Sequence, residues 1–362
     1  MFRRPQGIHW ALIIILFMLC SLSIYNLEGT VGPHISHMHI QQLKWFAIAT
    51  PIMIMVSVLD LHYLRRLAPI IYLTMNALLI LVLIIGKVVN GSRRWIDLGF
   101  FNFQPSELAK LGIIISLAAW FQRYNKPTYV LSDIFMIGAL IGLPMFLVFI
   151  EPDLGHTLML MLITLSMCMI ERFDRKSLIG LLITGVFLIP VAWQYLLKRY
   201  QKERILTLID GKVDKLGAGW HSYQSQVSVG SGGISGQGKG LATQVAGGFL
   251  PENHTDFVFA KLSEEHGFLG SSFTLLLYLA LLLAIMYTAY SARDRFGRHL
   301  TLGVAAFIFW HIVMNVGMVL NLLPVTGVTL PILSYGGTSL VTVFISLGLV
   351  LACHGQRQVF DR

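Results

Sequence analysis

Long apolar runs are the feature of this sequence that most restricts its fold. They recur along almost the whole chain, separated by polar segments. An α-helix of roughly 17–25 apolar residues crosses a hydrocarbon core of about 30 Å and satisfies its own backbone hydrogen bonds there. We therefore predict an all-α polytopic integral membrane protein, a bundle of about ten transmembrane helices with one long extracytoplasmic loop. The predicted spans are 8–27, 43–59, 69–86, 105–121, 134–150, 154–170, 177–197, 267–290, 300–323 and 332–353.

Composition agrees with a membrane protein. Hydrophobic residues make up 55% of the 362 residues and charged residues 12%, whereas a soluble domain carries about 25% charged residues. The fourth and sixth spans are the least apolar. The fourth span contains Glu107 and Lys110, and the sixth contains His156.

Basic residues predict the orientation, because Lys and Arg are retained in short cytoplasmic loops. Placing both termini in the cytoplasm puts about half of the 27 Lys and Arg residues there, including Arg3, Arg4 and Arg362. The segments 87–104 and 198–266 then face outward. Attraction between cytoplasmic arginines and anionic membrane lipids explains the net charge of +9, so we predict no nucleic-acid partner.

The chain is predicted to form one integrated membrane domain. Residues 1–197 supply spans one to seven and the polar cavity residues. The large extracytoplasmic loop 198–266 is the expected catalytic segment, since a loop of this length is usually functional or disordered and this one contains recurring hydrophobic residues. Residues 267–362 supply spans eight to ten and a short cytoplasmic tail.

The centre of the long loop, from Gly217 to Phe249, contains ten glycines. Residues 233–240 match a phosphate-binding loop up to the last position, where Gly240 replaces the Ser or Thr that would hold magnesium. An NTPase is therefore not expected. Backbone amides beside Lys239 could still hold a phosphate or pyrophosphate, and the alternative is a flexible surface loop.

The segment before the fourth span is also polar. Pro105 suits a helix start and Glu107 the first helical turn. Glu107 and Lys110 are three residues apart and share a helix face, at a depth where an ionisable residue is expensive. Either the two side chains form a pair that only braces the helix, or they form a polar wall for an anionic head group, with Arg93 and Arg94 at its rim.

Residues 250–257 combine acidic, histidine and hydroxyl side chains just before an apolar helix. Thr255 or Asp256 could simply cap that helix. Alternatively, Glu252, His254 and Asp256 would share one face of an extended chain. An ionised carboxylate there can accept the proton of an attacking hydroxyl.

Several motifs together resemble the SEDS family (shape, elongation, division and sporulation) of cell-wall polymerases. They occur in the family's order and cover essentially the whole chain. They are Arg94-Trp-Ile-Asp-Leu-Gly99, Phe103-Gln-Pro-Ser-Glu-Leu-Ala-Lys110, Glu151-Pro-Asp-Leu-Gly155, Gln224-Ser225, Gly230-Ser-Gly-Gly233, Leu250-Pro-Glu-Asn-His-Thr-Asp-Phe257, Glu264-Glu265, Leu322-Leu-Pro-Val-Thr-Gly327 and Leu333-Ser-Tyr-Gly-Gly337.

The resemblance implies a peptidoglycan glycosyltransferase that joins lipid II units into glycan strands on the outer face of the bacterial cytoplasmic membrane and releases undecaprenyl pyrophosphate. It implies a class B penicillin-binding protein, a transpeptidase, as partner. The essential aspartate of the family falls on Asp256, as the base that activates the acceptor hydroxyl. The assigned substrate and pyrophosphate-binding residues are Arg94, Glu107, Lys110, Asp153, Gln224 and Lys239, with Glu252, His254 and Thr255 as supporting residues.

Some choices stay open at this point. The segments 230–233 and 257–260 favour an elongation-type over a division-type polymerase. A lipid II flippase and a scaffold that recruits a transpeptidase are the alternatives from other classes. His156, Asn321 and Thr329 depart from the family pattern and are expected to affect only local packing. No cofactor is assigned, although Glu252 and His254 make a divalent cation, Mg or Mn, conceivable.

Overall fold

A computed structural model describes residues 7, 9–28, 37–89, 92–99, 101–197, 199–209, 219–250 and 252–357. Arg3, Arg4, Gly217, Pro251 and Arg362, named above, lie outside these residues. The helices are α1 (Trp10–Glu28), α2 (Met38–Ser57), α3 (Leu61–Ile85), α4 (Pro105–Arg123), α5 (Leu131–Ile150), α6 (Leu154–Cys168), α7 (Arg175–Val191), α8 (Arg199–Ile209), α9 (Trp220–Ser231), α10 (Thr243–Ala246), α11 (Val258–Tyr290), α12 (Arg295–Val319) and α13 (Gly337–Arg357). Strands β1 (Lys87–Val89), β2 (Ser92–Asp97) and β3 (Asn102–Phe103) precede α4.

The predicted helical membrane bundle is confirmed. Each of the ten predicted spans overlaps one long helix: α1 to α7, α11, α12 and α13. Within the described residues, six of these helices are long and apolar enough to cross a membrane, namely α1, α3, α5, α11, α12 and α13, and α6 is a shorter apolar helix. The count of ten spans stays a prediction.

The centre of the bundle is formed by α4, α12 and α13. In the apolar parts of α12 and α13, 72% of the residues are buried, compared with 28% in α3 and α5. Helix α4 lies against α3, α6 and α12, and α13 lies along α2. The helix that carries Glu107 and Lys110 is therefore surrounded by protein, while α3 and α5 present most of their apolar side chains to lipid.

Two helix starts bring polar groups to one end of this centre. Helix α4 begins as predicted, with Pro105 in its first turn after Gln104. Asp153 caps α6 by accepting a hydrogen bond from the backbone amide of His156 at 3.1 Å. The antiparallel sheet β1-β2-β3 leads directly into α4, and β2 carries Arg94 towards the cap of α6.

The described part of the long loop contains α8, α9, α10 and the first residues of α11, and it folds back on the bundle. Helix α11 starts at Val258, and its backbone leaves helical geometry at Gly267 (φ 66°, ψ −161°). The predicted start of span eight thus coincides with a kink. The residues from 258 to 266 form a helical segment before the kink, and the glycine-rich segment packs against it.

The glycines of this loop serve close backbone packing, so the phosphate-cradle prediction is wrong. The amides of Gly236, Gln237 and Gly238 donate to the carbonyls of Gly232, Glu264 and Glu265 at 2.9 to 3.0 Å. Amides that already bind carbonyl oxygens do not converge on an anion. A Cβ at position 236 would lie 2.2 Å from the Glu265 carbonyl oxygen.

We predict that Gly267→Ala destabilises the protein by about 1–3 kcal/mol, because its backbone conformation is essentially restricted to glycine. The added Cβ would also lie 2.3 Å from the backbone nitrogen of Gly236. The matched control is Gly142→Ala in α5, where no atom lies within 4 Å of the new Cβ. The thermal unfolding midpoint in detergent should fall for the first variant only. Equal midpoints would contradict the close packing at the kink.

Candidate active site

A cavity of about 690 Å³ opens at the end of the bundle where α4 and α6 begin. Its wall contains residues of β2, α4, α6, α8, the turn before α11 and the connection between α12 and α13. Six residues that the sequence assigned to the site line this cavity. They are Arg94, Glu107, Asp153, Glu252, Thr255 and Asp256.

Asp256 lies in a compact turn and not in an extended chain. The amides of Thr255 and Phe257 both donate to the Glu252 carbonyl, at 3.2 and 3.1 Å. Phe257 is the N-cap of α11, and no side chain caps that helix. The capping hypothesis for Thr255 and Asp256 is therefore wrong, and so is the shared extended face: His254 does not line the cavity.

The turn is held by backbone contacts, which leave its reactive side chain available. Asn315 of α12 donates from Nδ2 to the carbonyl oxygens of Asp256 and Val328, both at 2.8 Å. Ser334 Oγ donates to the Thr255 carbonyl at 2.6 Å, and the amide of Tyr335 donates to the His254 carbonyl at 2.8 Å. The turn is thus attached to α12 and to the loop that follows it.

The Asp256 carboxyl is suited to accept a proton. Burial and then the nearby negative charge of Glu252 raise its pKa to about 6, while the charge of Arg204 opposes this shift. A carboxylate whose pKa is close to neutral pH is a stronger base than an ordinary aspartate and remains largely ionised at pH 7. Its side chain is only partly buried and lines the cavity, so a substrate hydroxyl can reach it.

The floor of the cavity is a buried ionic network. Glu107 and Lys110 form an ion pair at 2.8 Å, with side chains 3% and 0% exposed. His156 joins this pair to the cap of α6: its Nε2 lies 2.9 Å from Glu107 Oε1, and its Nδ1 lies 3.0 Å from Asp153 Oδ2. Although burial opposes the shift, the charges of His156 and Arg94 lower the pKa of Asp153 to about 2.

Lys110 lies one layer beneath the cavity and does not line it. Its Nζ is 2.8 Å from Nε2 of His311 and 5.2 Å from the centre of the Phe307 ring. Nδ1 of His311 is 2.9 Å from the Thr329 carbonyl, so Nδ1 donates and Nε2 accepts from the ammonium. The predicted ion pair with Glu107 is present. Within it, Glu107 faces the cavity and Lys110 neutralises it from behind.

Arg94 forms part of the cavity wall, but Arg93 does not. Nε of Arg94 donates to the Glu151 carbonyl at 3.2 Å, and its guanidinium also donates to the Pro152 carbonyl. The same Nε lies 3.6 Å from Asp153 Oδ2. Arg93 instead donates to the Leu83 carbonyl at 3.3 Å on the exposed side of the sheet. Only one of the two predicted rim arginines therefore reaches the site.

Two assigned residues lie away from the cavity. Lys239 forms an ion pair with Glu28 at 2.7 Å and lies over the ring of Tyr25 at 4.1 Å, so it joins the glycine-rich loop to α1. Gln224 is buried in α9 and is not part of the cavity wall. Both assignments came from motif matching, which does not determine the direction of a side chain.

Arg204 and His156 also line the cavity, although neither was assigned to the site from the sequence. Arg204 of α8 reaches the cavity and donates to the Val325 carbonyl at 2.8 Å. The basic and amphipathic composition of α8 was the available signal. His156 was expected to affect only packing. That expectation was wrong, because its ring binds two of the carboxylates assigned to the site.

The positions of Glu252 and His254 do not favour the binding of a divalent cation. His254 Nε2 and Glu252 Oε2 are 3.8 Å apart. In the part of the chain that the structure describes, no group of three or more His, Cys, Asp or Glu side chains is arranged to hold a metal ion. Glu252 and His254 alone would give a cation too few ligands.

Known proteins match this chain over nearly its full length. The model of the FtsW, RodA and SpoVE family, described as cell cycle proteins, matches residues 6–359. The protein named peptidoglycan glycosyltransferase MrdB from Escherichia coli K12 is 34% identical over 352 residues, which are 97% of this chain and 94% of that protein.

Solved structures show the same fold. One, described as the structural coordination of polymerization and crosslinking by a peptidoglycan synthase complex, matches with a TM-score of 0.80 and 30% identity over 97% of this chain and 98% of that chain. The crystal structure of the rod shape determining protein RodA from Thermus thermophilus matches with a TM-score of 0.69 and 27% identity over 96% and 97% of the two chains. This chain therefore shares its fold with both solved structures over nearly its whole length.

We predict that Lys110→Met destabilises the fold by about 3–5 kcal/mol, because it leaves the buried Glu107 carboxylate without its ion pair. The control is Lys87→Met, which removes an ion pair to Asp97 whose two side chains are 57% and 47% exposed and should cost at most about 1 kcal/mol. The double variant Glu107→Gln with Lys110→Met should recover part of the loss. Thermal unfolding in detergent measures all three, and a Lys110→Met midpoint equal to that of the control would contradict the buried network.

Proposed function

The chain belongs to the FtsW, RodA and SpoVE family, and we propose that it is a peptidoglycan glycosyltransferase of the elongation type. It joins the disaccharide units of lipid II into glycan strands and releases undecaprenyl pyrophosphate. The relatives named peptidoglycan glycosyltransferase support the activity. The solved structure of a rod shape determining protein supports the elongation role.

The observation that carries the mechanism is the Asp256 carboxylate, which faces a polar cavity with its pKa raised to about 6 by burial and Glu252. In the transfer, the acceptor hydroxyl attacks the anomeric carbon of the lipid-linked donor. Asp256 takes the hydroxyl proton as the new C–O bond forms. Proton transfer to such a positioned base contributes about 10²–10⁴-fold to a rate.

The bond from the anomeric carbon to the pyrophosphate breaks in the same step, so negative charge grows on the leaving group. Arg94 and Arg204 line the cavity that contains Asp256 and are the cations that would steady this charge. Preorganised cations in a site with little water stabilise a developing anion strongly. Lys110 contributes indirectly, because it neutralises Glu107, which would otherwise repel the pyrophosphate.

The same proposal covers location and partner. The cavity is proposed to lie on the extracytoplasmic side of the bacterial cytoplasmic membrane, where lipid II head groups would reach it, and the distribution of Lys and Arg supports this orientation. The partner is a class B penicillin-binding protein that crosslinks the new strands. The match to a peptidoglycan synthase complex, in which polymerization is coordinated with crosslinking, supports this pairing.

We predict that Asp256→Asn lowers the rate of glycan polymerisation from lipid II by at least about 100-fold, because the amide cannot accept the proton. The matched control is Asp97→Asn on β2, an exposed aspartate that pairs with Lys87 at 3.3 Å outside the cavity wall and should retain full activity. Purified full-length protein with its transpeptidase partner is assayed by gel analysis of glycan chains.

Both variants must keep the thermal unfolding midpoint of the wild type, so that loss of activity reports chemistry and not unfolding. Undiminished polymer from a folded Asp256→Asn protein would refute the assignment of the base. If polymer is absent from the wild type as well, while lipid II crosses vesicle membranes that contain it, the protein is a flippase.

The pH profile provides an independent check. Asp256 acts as a base only when ionised, and its pKa is raised to about 6, so the rate should fall as pH falls through about 6. Glu252→Gln removes the like charge that contributes to this shift, and the acid limb should move to lower pH. Glu28→Gln, a change at an exposed carboxylate paired with Lys239, should leave the limb in place. An unmoved limb in Glu252→Gln would contradict the coupling.

A further inference from the structure

His156 occupies an unusual position in the floor of the cavity. It lies in the first turn of α6, its side chain is 6% exposed, and it lines the cavity. Its two ring nitrogens contact carboxylates from two different elements: Nδ1 is 3.0 Å from Asp153 Oδ2, and Nε2 is 2.9 Å from Glu107 Oε1.

These two contacts determine the protonation state of the ring. A neutral imidazole donates from one nitrogen and accepts at the other, whereas an ionised carboxylate can only accept. A neutral ring between Asp153 and Glu107 would direct a lone pair at one of the two carboxylates. Both contacts are satisfied only by the imidazolium, so His156 is a cation in this arrangement.

The charges around the ring show what this cation does. Three cations, Arg94, His156 and Lys110, are joined to two carboxylates, Asp153 and Glu107. The floor therefore carries one net positive charge. With a neutral residue in place of His156 the floor would have no net charge. Of the cations of the floor, Arg94 alone would then face the cavity beside the two carboxylates.

Three other titratable groups lie beside this cluster. Glu151, at the end of α5, is buried, and burial followed by the charge of Asp153 raises the pKa of its carboxyl to about 8, while the charges of His156 and Arg94 oppose this shift. His311 of α12 is neutral, because Nδ1 donates to the Thr329 carbonyl and Nε2 accepts from Lys110. Asp256, in the turn before α11, senses the charges of both His156 and Asp153. None of the three supplies a second positive charge, so the positive sign of the floor depends on the His156 ring. Glu151 is present in the wild type and in every His156 variant, so a ratio of their affinities at one pH separates the effect of His156 from the titration of Glu151.

We propose that His156 is a positioning residue that makes the affinity of the cavity for a polyprenyl pyrophosphate depend on pH. The imidazolium holds Glu107 and Asp153 in place and cancels their repulsion of an anionic ligand. When the ring loses its proton as pH rises, that cancellation ends and the ligand is held less tightly. The ligand class is the one implied by the proposed glycosyltransferase function.

The test measures binding and not turnover. Purified full-length protein in nanodiscs is titrated with undecaprenyl pyrophosphate from about pH 6 to about pH 10, a range that spans the titration of a histidine. Wild type is compared with His156→Gln, a neutral hydrogen-bonding side chain, and with His156→Lys, which stays charged over most of this range. The ratio of the variant Kd to the wild-type Kd at each pH cancels the ionisation of the probe.

One unit charge about 12 Å from the charge of the ligand, at an effective dielectric constant of about 20, is worth about a tenfold change in affinity. His156→Gln should therefore weaken binding about tenfold at the acidic end, and its ratio to wild type should approach one at the alkaline end. His156→Lys should bind like the wild type at low pH and more tightly than it at high pH. His62→Gln, a change at an exposed histidine near the start of α3 and outside the cavity wall, should give a ratio of one throughout.

Two results would overturn the proposal. Either His156→Gln binds as tightly as the wild type at the acidic end, or it binds more weakly by one constant factor at every pH, as a purely structural role would give. If His156→Lys fails to fold, the pH profile of His156→Gln still decides. Polymerisation is measured separately: pH-dependent binding without polymer formation would refute the proposed function alone, and polymer formation without this binding profile would refute the proposal alone.

Discussion

The buried ion pair of Glu107 and Lys110 is the interaction on which the arrangement of the site depends. Moving a single charge into the interior of a helix bundle costs several kcal/mol unless it is paired. Helix α4 can therefore occupy the centre of the fold only because neighbouring helices complete the network. His156 of α6 binds the carboxylate, and His311 of α12 accepts from the ammonium. These contacts set α4, α6 and α12 in register, and they bring Asp153, the cap of α6, to the floor of the cavity.

Above this rigid floor, the side chain proposed to do the chemistry is left accessible. The turn that carries Asp256 is held through its carbonyl groups by Asn315, Ser334 and Tyr335. Its position is thus determined without occupying the carboxylate. Glu252, in the same turn, contributes to the raised pKa of Asp256. A catalytic base needs this combination: a fixed backbone, an accessible oxygen and a pKa close to the working pH.

The fold was largely predictable from the sequence, because membrane-crossing helices depend on long apolar runs that are visible without tertiary information. The start of α4 at Pro105 was also visible locally, whereas the break of α11 at Gly267 was not predicted. The site was predictable only in part. Arg94, Glu107, Asp153 and Asp256 line one cavity, whereas Lys239 and the glycine-rich loop lie away from it. Whether loop amides face a ligand or the carbonyls of α11 depends on packing over long sequence distances. His156 was underestimated for the same reason, since its partners Asp153 and Glu107 lie on separate helix starts.

The central claim is that the cavity containing Asp256 is where the lipid-linked donor and the acceptor sugar meet. The most direct measurement is an experimental structure of the full-length Asp256→Asn variant in complex with its partner and with added lipid II. This variant should bind the substrate without consuming it. We expect the attacking hydroxyl within hydrogen-bond distance of the residue 256 side chain and the pyrophosphate against Arg94 and Arg204. Substrate bound at another surface, with this cavity containing only solvent, would contradict the account.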